Sequence, residues 1–220
     1  MLYYIINSEI RGIELLVLIL AYFIAIVFSI MVHELSHAYA AYKCGDDTPK
    51  LTGRLSLNPF KHFDLIGGLS FLIVGFGWAK PVQINPLKFR NYKKNMALVS
   101  IVGILANLIL GFLFVALNLL CLKFALSTNV FLNFLYYLTY FLCIINLSLA
   151  VFNLLPIYPL DGFNFINTFL KYNNKFSQFM VKYGGIILII FVLTLSYTNL
   201  FSIIINNILW VFVKFWRLII

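Results

Sequence analysis

The sequence predicts an all-α polytopic membrane protein with about four transmembrane helices, a re-entrant or short-strand segment and a C-terminal interfacial helix. Three observations predict it. The 220 residues are 63% hydrophobic and 10% charged, whereas soluble domains average roughly 45–50% apolar and about 25% charged. Four apolar runs reach the roughly 20 residues that a bilayer crossing needs. No long hydrophilic stretch, internal repeat or low-complexity tract divides the chain, so residues 1–220 read as one integral domain. The balance of 16 Lys+Arg against 7 Asp+Glu gives a net charge of +9. With so apolar a chain, that excess excludes a disordered tail and reports orientation in the bilayer rather than a nucleic-acid partner. Cys44, Cys121 and Cys143 are odd in number and lack CxxC spacing, so they read as free thiols.

The first span covers about 12–42. Glu9, Arg11 and Glu14 stand at and before its start rather than a basic cluster, and the run is too long for a cleaved leader. The remaining spans are about 96–121, 131–155 and 183–205. Between the first two lies a polar linker and then Leu65–Ala79, a short apolar piece rich in glycine (Gly67, Gly68, Gly75, Gly77). Alternation at Leu51, Gly53, Leu55 and Leu57, and the stretch Trp78–Ile84, predict short strands flanking that piece, all within a re-entrant segment of about 50–85. The tail from Ile208 to Ile220, with Trp210, Lys214, Trp216 and Arg217, reads as an interfacial helix.

Charge tests whether Leu65–Ala79 crosses. If it is re-entrant, one face carries Lys43, Lys50, Arg54, Lys61, Lys80, Lys88, Arg90, Lys93, Lys94, Lys171, Lys175 and Lys182, which is twelve of the sixteen basic residues. Only Arg11, Lys123, Lys214 and Arg217 lie opposite. Cytoplasmic loops carry the Lys/Arg excess, so that face is cytoplasmic, and a true crossing would scatter the same charges.

Near the cytoplasmic end of the first span stands His33-Glu34-Leu35-Ser36-His37. At 3.6 residues per turn the two imidazoles share a helix face and can grip one zinc, with Glu34 beside them as general base for a water activated by the metal. A carboxylate inside an apolar helix is costly and marks function by default. The third ligand follows by elimination. No Glu follows Glu34, and His62 lacks the spacing of extended His-Glu-x-x-His patterns. Asp46, Asp47 and Asp64 fall in the polar linker, where turn or solvated roles are expected. Asp161 remains, on a segment that Pro156 and Pro159 break and Gly162 allows to turn tightly. Parity agrees, because a re-entrant Leu65–Ala79 brings His33, His37 and Asp161 to the same side. Counted from Lys43, the histidines sit roughly 9 to 15 Å from the helix end.

These blocks resemble the site-2 protease family of intramembrane zinc metalloproteases. The likeness rests on His33-Glu34-Leu35-Ser36-His37, Leu57-Asn58-Pro59-Phe60-Lys61-His62-Phe63-Asp64, Gly77-Trp78-Ala79-Lys80-Pro81-Val82, Gly103-Ile104-Leu105-Ala106-Asn107, and Asn153-Leu154-Leu155-Pro156 continuing to Leu160-Asp161-Gly162. The chain departs from the family pattern at Ile104 and Leu65, where proline is common, and at Phe163, where a second glycine is. The resemblance implies one zinc per chain on His33, His37 and Asp161, with Glu34 as catalytic base. It also implies that Asn107 holds the substrate backbone or the developing oxyanion, a role open to Asn153 too; the alternative for Asn107, Asn146 and Asn153 is a hydrogen bond between helices.

The expected activity is hydrolysis of a peptide bond in or near a transmembrane segment of a membrane protein, with strand addition along Lys50–Leu57 or Trp78–Ile84 unwinding the substrate. The expected setting is a prokaryotic plasma membrane with the active site toward the cytoplasm. A regulatory membrane partner is left open. Two other classes compete. A divalent-metal transporter needs several coordinating stations along a path, and a bis-histidine haem protein needs histidines on two spans.

Overall fold

The computed structural model describes residues 12–62, 64–74, 77–123, 129–171 and 174–220. Glu9, Arg11, Phe63 and Gly75, named above, lie outside them. Among the described residues eight α-helices follow in order: α1 Ile13–Lys43, α2 Thr48–Leu51, α3 Leu65–Val74, α4 Tyr92–Leu122, α5 Val130–Asn153, α6 Asp161–Phe169, α7 Lys175–Tyr197 and α8 Leu200–Trp216. Four of them, α1, α4, α5 and α7, are long and apolar enough to cross a membrane.

Helix ends are written locally. Asn91, Asn129 and Asn174 each accept a backbone N–H from the first turn of α4, α5 and α7, satisfying amides that the helix cannot pair itself. At the other end of α1, Gly45 takes φ 106°. Its N–H donates to the Tyr42 carbonyl and the Asp46 N–H to the Ala41 carbonyl, a Schellman closure that needs glycine at the left-handed position. Asp46 is fully buried directly after it. Its carboxylate accepts from the Thr48 and Asn85 amides at 3.0 and 2.7 Å, pinning the start of the linker to its end. Asp64 accepts from the Gly67 amide at 2.8 Å at the head of α3, and Asp47 pairs with Lys88 on the surface. The linker acids thus take the turn and surface roles expected of them.

Helices α1, α4 and α5 form the core. Leu18, Tyr22, Ile26 and Ile30, spaced by four, put one face of α1 against Phe141, Leu142 and Ile145 of α5. Small residues let α1 pack closely, with Ala21, Ala25 and Ser29 fully buried. Helix α6 packs on α4. Helix α7 is the least buried of the four long helices.

Three expectations change. No strand occurs among the described residues. Lys50 and Leu51 belong to the short helix α2, Gly53 turns at φ 68°, and the buried Arg54 guanidinium donates to the carbonyls of Lys61 and Lys80. Residues 77–85 belong to no helix or strand. The alternation at 51–57 reflected a knot of turns tied by one arginine, not a ladder.

The last apolar stretch is also divided differently. It starts at Lys175 rather than Tyr183 and breaks at Thr198–Asn199. The tail expected to begin an interfacial helix at Ile208 is the second half of α8, lying lengthwise on α4. There the Trp216 indole N–H donates to the Phe112 carbonyl at 2.9 Å, and Phe112 stacks among Phe212, Phe215 and Trp216 with centroids 5.0, 5.3 and 5.0 Å away.

The excursion between α1 and α4 turns back on itself. Helix α3 has 10 residues, about 15 Å of rise, half of what a crossing needs. The Lys80 N–H donates to the His62 carbonyl at 3.0 Å, so the entry and exit of the excursion meet.

Candidate metal centre and its cleft

His33 and His37 lie one turn apart on α1, both buried, with rings edge to face and centroids 4.7 Å apart. Asp161 opens α6. Its position is set by the broken backbone before it: the Leu160 N–H closes a turn onto the Ile157 carbonyl at 2.8 Å. A Cβ on Gly162 would stand 2.2 Å from the Leu154 carbonyl oxygen, so only glycine lets α6 begin there. The three side chains converge. His33 Nε2 and His37 Nε2 are 3.1 Å apart, and each is 3.1 Å from Asp161 Oδ2.

This donor set fits zinc. His37 Nδ1 lies 2.7 Å from the Val99 carbonyl oxygen, which can only accept, so Nδ1 carries a hydrogen and in the neutral ring Nε2 presents a lone pair. That lone pair faces a carboxylate oxygen at 3.1 Å, an arrangement that a bound cation would satisfy. Tetrahedral zinc, with bonds of about 2.0–2.1 Å, holds its ligands about 3.3 Å from one another. The observed triangle matches to within a few tenths of an ångström. His33, His37 and Asp161 are the only group of this kind among the described residues.

Glu34 shares the cleft beside the cluster. Its Oε2 accepts the Val82 N–H at 3.0 Å, so the irregular segment 77–85, which lines the cleft, fixes the carboxylate. The cleft has a volume of about 600 Å³ and is largely apolar, walled by Ile30, Trp78, Leu149, Phe152, Leu188 and Phe201.

Asn153 lines this cleft, its amide nitrogen donating to the Leu149 carbonyl at 3.0 Å. Asn107 does not. It is fully buried, and its Oδ1 lies 2.6 Å from His33 Nδ1, on the side of the ring away from the cluster. The oxyanion role that the family resemblance implied for Asn107 therefore has no open group to act with in this arrangement. His62 stays out of the cluster, buried in the linker with Nε2 at 2.8 Å from the Ser56 carbonyl.

Sequence reasoning missed three contributors. Gly103 lies directly against the rings: a Cβ there would be 2.4 Å from His37 Nε2 and 2.8 Å from His33 Cε1. Its place one turn before Asn107 on α4 was a readable sign. The Val99 carbonyl and Val82 amide are backbone groups and leave no mark in the sequence.

Helices long and apolar enough to cross a membrane, around a His-His-Asp cluster with a glutamate alongside, define a membrane metalloprotease. Comparison with known proteins places it further. Residues 122–195 match the model of peptidase family M50. The chain is 40% identical over 175 residues to a Bacillus subtilis protein named "Putative zinc metalloprotease YwhC", covering 78% of this chain and 79% of that one. It is 29% identical over 179 residues to the Mycolicibacterium smegmatis "Putative zinc metalloprotease Rip2", covering 76% of this chain and 64% of the relative. No solved structure matches. The chain belongs to peptidase family M50, the site-2 proteases, and is a multi-pass membrane zinc metalloprotease.

Proposed function

We propose that the protein hydrolyses a peptide bond in or near a transmembrane segment of a membrane-protein substrate, using one zinc per chain held by His33, His37 and Asp161. The observation that carries this reading is the convergence of three ligand atoms, each 3.1 Å from the others, at the wall of an apolar cleft inside a membrane bundle. Zinc, when bound, supplies Lewis acidity that polarises a carbonyl and acidifies water.

The chain's own residues do the rest. Glu34 accepts the proton of the attacking water and delivers one to the leaving amine. The Val82 amide holds Glu34 Oε2, which fixes the carboxylate plane and leaves its other oxygen for proton transfer. The apolar walls exclude bulk water and suit an apolar substrate segment, while Asn153 offers it a polar contact. The basic residues from Lys43 to Lys94 lie at the end of the bundle where α1 finishes and α4 begins, and the Lys/Arg bias supports placing that end in the cytoplasm, while the two bacterial relatives support a prokaryotic plasma membrane. Nothing favours transport, since a single ligand cluster among the described residues offers no second station.

The test is Glu34→Gln in cells co-expressing a single-span membrane reporter that the wild type cleaves. Cleavage should fall by about 10²–10⁴-fold, with zinc content and membrane insertion unchanged. Cleavage at the wild-type rate by the variant would overturn the proposal.

A further inference from the structure

Behind the metal cluster a chain of buried polar groups crosses three helices. Asn107 on α4 and Asn146 on α5 are both fully buried, as is Ser29 on α1. The Asn146 amide nitrogen lies 2.7 Å from the Leu142 carbonyl oxygen and 2.7 Å from Ser29 Oγ. Asn146 Oδ1 lies 2.6 Å from Asn107 Nδ2, and Asn107 Oδ1 lies 2.6 Å from His33 Nδ1. The Asn107 Nδ2 also reaches the Ser29 carbonyl at 3.4 Å.

One atom sets the direction of the whole chain. The Leu142 carbonyl can only accept, so Asn146 must turn its NH₂ toward it; the flipped amide would set two acceptors 2.7 Å apart. Asn146 then shows Asn107 an oxygen, which Asn107 must meet with its own NH₂. The Ser29 carbonyl, another pure acceptor, demands the same orientation. Asn107 is left showing His33 an oxygen, and His33 Nδ1 must carry the ring hydrogen. In the neutral ring His33 Nε2 is thereby left bare, facing His37 and Asp161.

We propose that Asn146 is a positioning residue for the metal centre: anchored on Leu142 and Ser29 and acting through Asn107, it fixes the His33 tautomer that can bind zinc. Without it, only the long 3.4 Å contact to the Ser29 carbonyl opposes a flip of the Asn107 amide that would offer a hydrogen to His33 Nδ1 and move the ring hydrogen to Nε2, the ligand atom. This inference rests on the zinc-site assignment above and adds residues without contact to metal or cleft. Outer partners of metal-bound histidines set affinity in this way.

The experiment is chelator competition for zinc on the full chain in detergent, comparing wild type, Asn146→Leu, Asn107→Leu, the double variant and Asn118→Leu. Asn118 is the control for a merely structural role, because its side chain also bridges α4 and α5, donating to Tyr136 O and Thr139 Oγ1 at 3.1 Å each. Asn146→Leu should bind zinc about 10–100-fold more weakly. The double variant should be no weaker than Asn107→Leu, and Asn118→Leu should keep wild-type affinity. Wild-type affinity in Asn146→Leu, or an equal loss in Asn118→Leu, would overturn the relay while leaving the zinc site standing. A wild type without zinc would instead remove the site itself. Ring ¹⁵N shifts of the three histidines in the zinc-free wild type need no variant to fold: a hydrogen on His33 Nδ1 is expected, and a ring with its hydrogen on Nε2 and none on Nδ1 refutes the relay.

Discussion

Replacing Gly103 by alanine sets two effects of opposite sign against each other. In the middle of a helix, Gly→Ala ordinarily gains roughly 0.5–1 kcal/mol of stability. Here the new methyl carbon would stand 2.4 Å from His37 Nε2 and 2.9 Å from His33 Nδ1, where ordinary contact begins at 3.4 Å. The rings or the helix must therefore yield by about 1 Å, five times the roughly 0.2 Å that a metal site tolerates. Overpacking costs about 1–3 kcal/mol, so the zinc-free variant should be no more stable than wild type. The metal suffers more. Taking structural zinc sites at about 10–16 kcal/mol shared over four ligands, misplacing one ligand costs about 3 kcal/mol, a loss of about a hundredfold in affinity. Chelator competition reads the affinity and a thermal melt without zinc reads the packing. A Gly103→Ala protein that is more stable and binds zinc as wild type does would refute the close approach of α4 to the histidines.

Other perturbations separate the parts of the site from the scaffold. Asp161→Ala removes one of three ligand atoms and should lower zinc affinity by about a hundredfold on the same reckoning; unchanged stoichiometric zinc in purified protein would exclude Asp161 as a ligand. Gly162→Ala places a methyl 2.2 and 2.6 Å from the backbone oxygens of Leu154 and Leu155, which cannot swing aside. It should destabilise by about 1–3 kcal/mol and displace Asp161, and zinc retention equal to wild type would argue against that placement. Trp216→Phe deletes the N–H held by the Phe112 carbonyl and should cost roughly 0.5–1.5 kcal/mol in denaturant unfolding while zinc content stays constant; a variant as stable as wild type would deny α8 its role in anchoring the bundle.

The parts legible in the sequence were those governed by local rules. Hydropathy over about 20 residues located α1, α4 and α5, and the spacing of His33 and His37 followed from helical periodicity. The scarcity of acids singled out Asp161. The remainder depended on contacts between distant segments. Arg54 holds the carbonyls of Lys61 and Lys80, and this turned an alternating pattern into turns. The break between α7 and α8 falls inside an apolar run, where hydropathy is blind and only Thr198 and Asn199 hint at it. Asn107 was visible as a polar residue in a span, but its partner was not, because His33 lies 74 residues away.

His37 and Asp161 are separated by 124 positions in the chain, with α4 and α5 inserted between them. A metal at this site acts as a topological staple that closes most of the protein into one loop. Ribosomal synthesis delivers the histidines long before the aspartate, so the emerging chain carries an incomplete ligand set until α6 has docked on α4. With the ligands proposed above, zinc occupancy would report completed assembly.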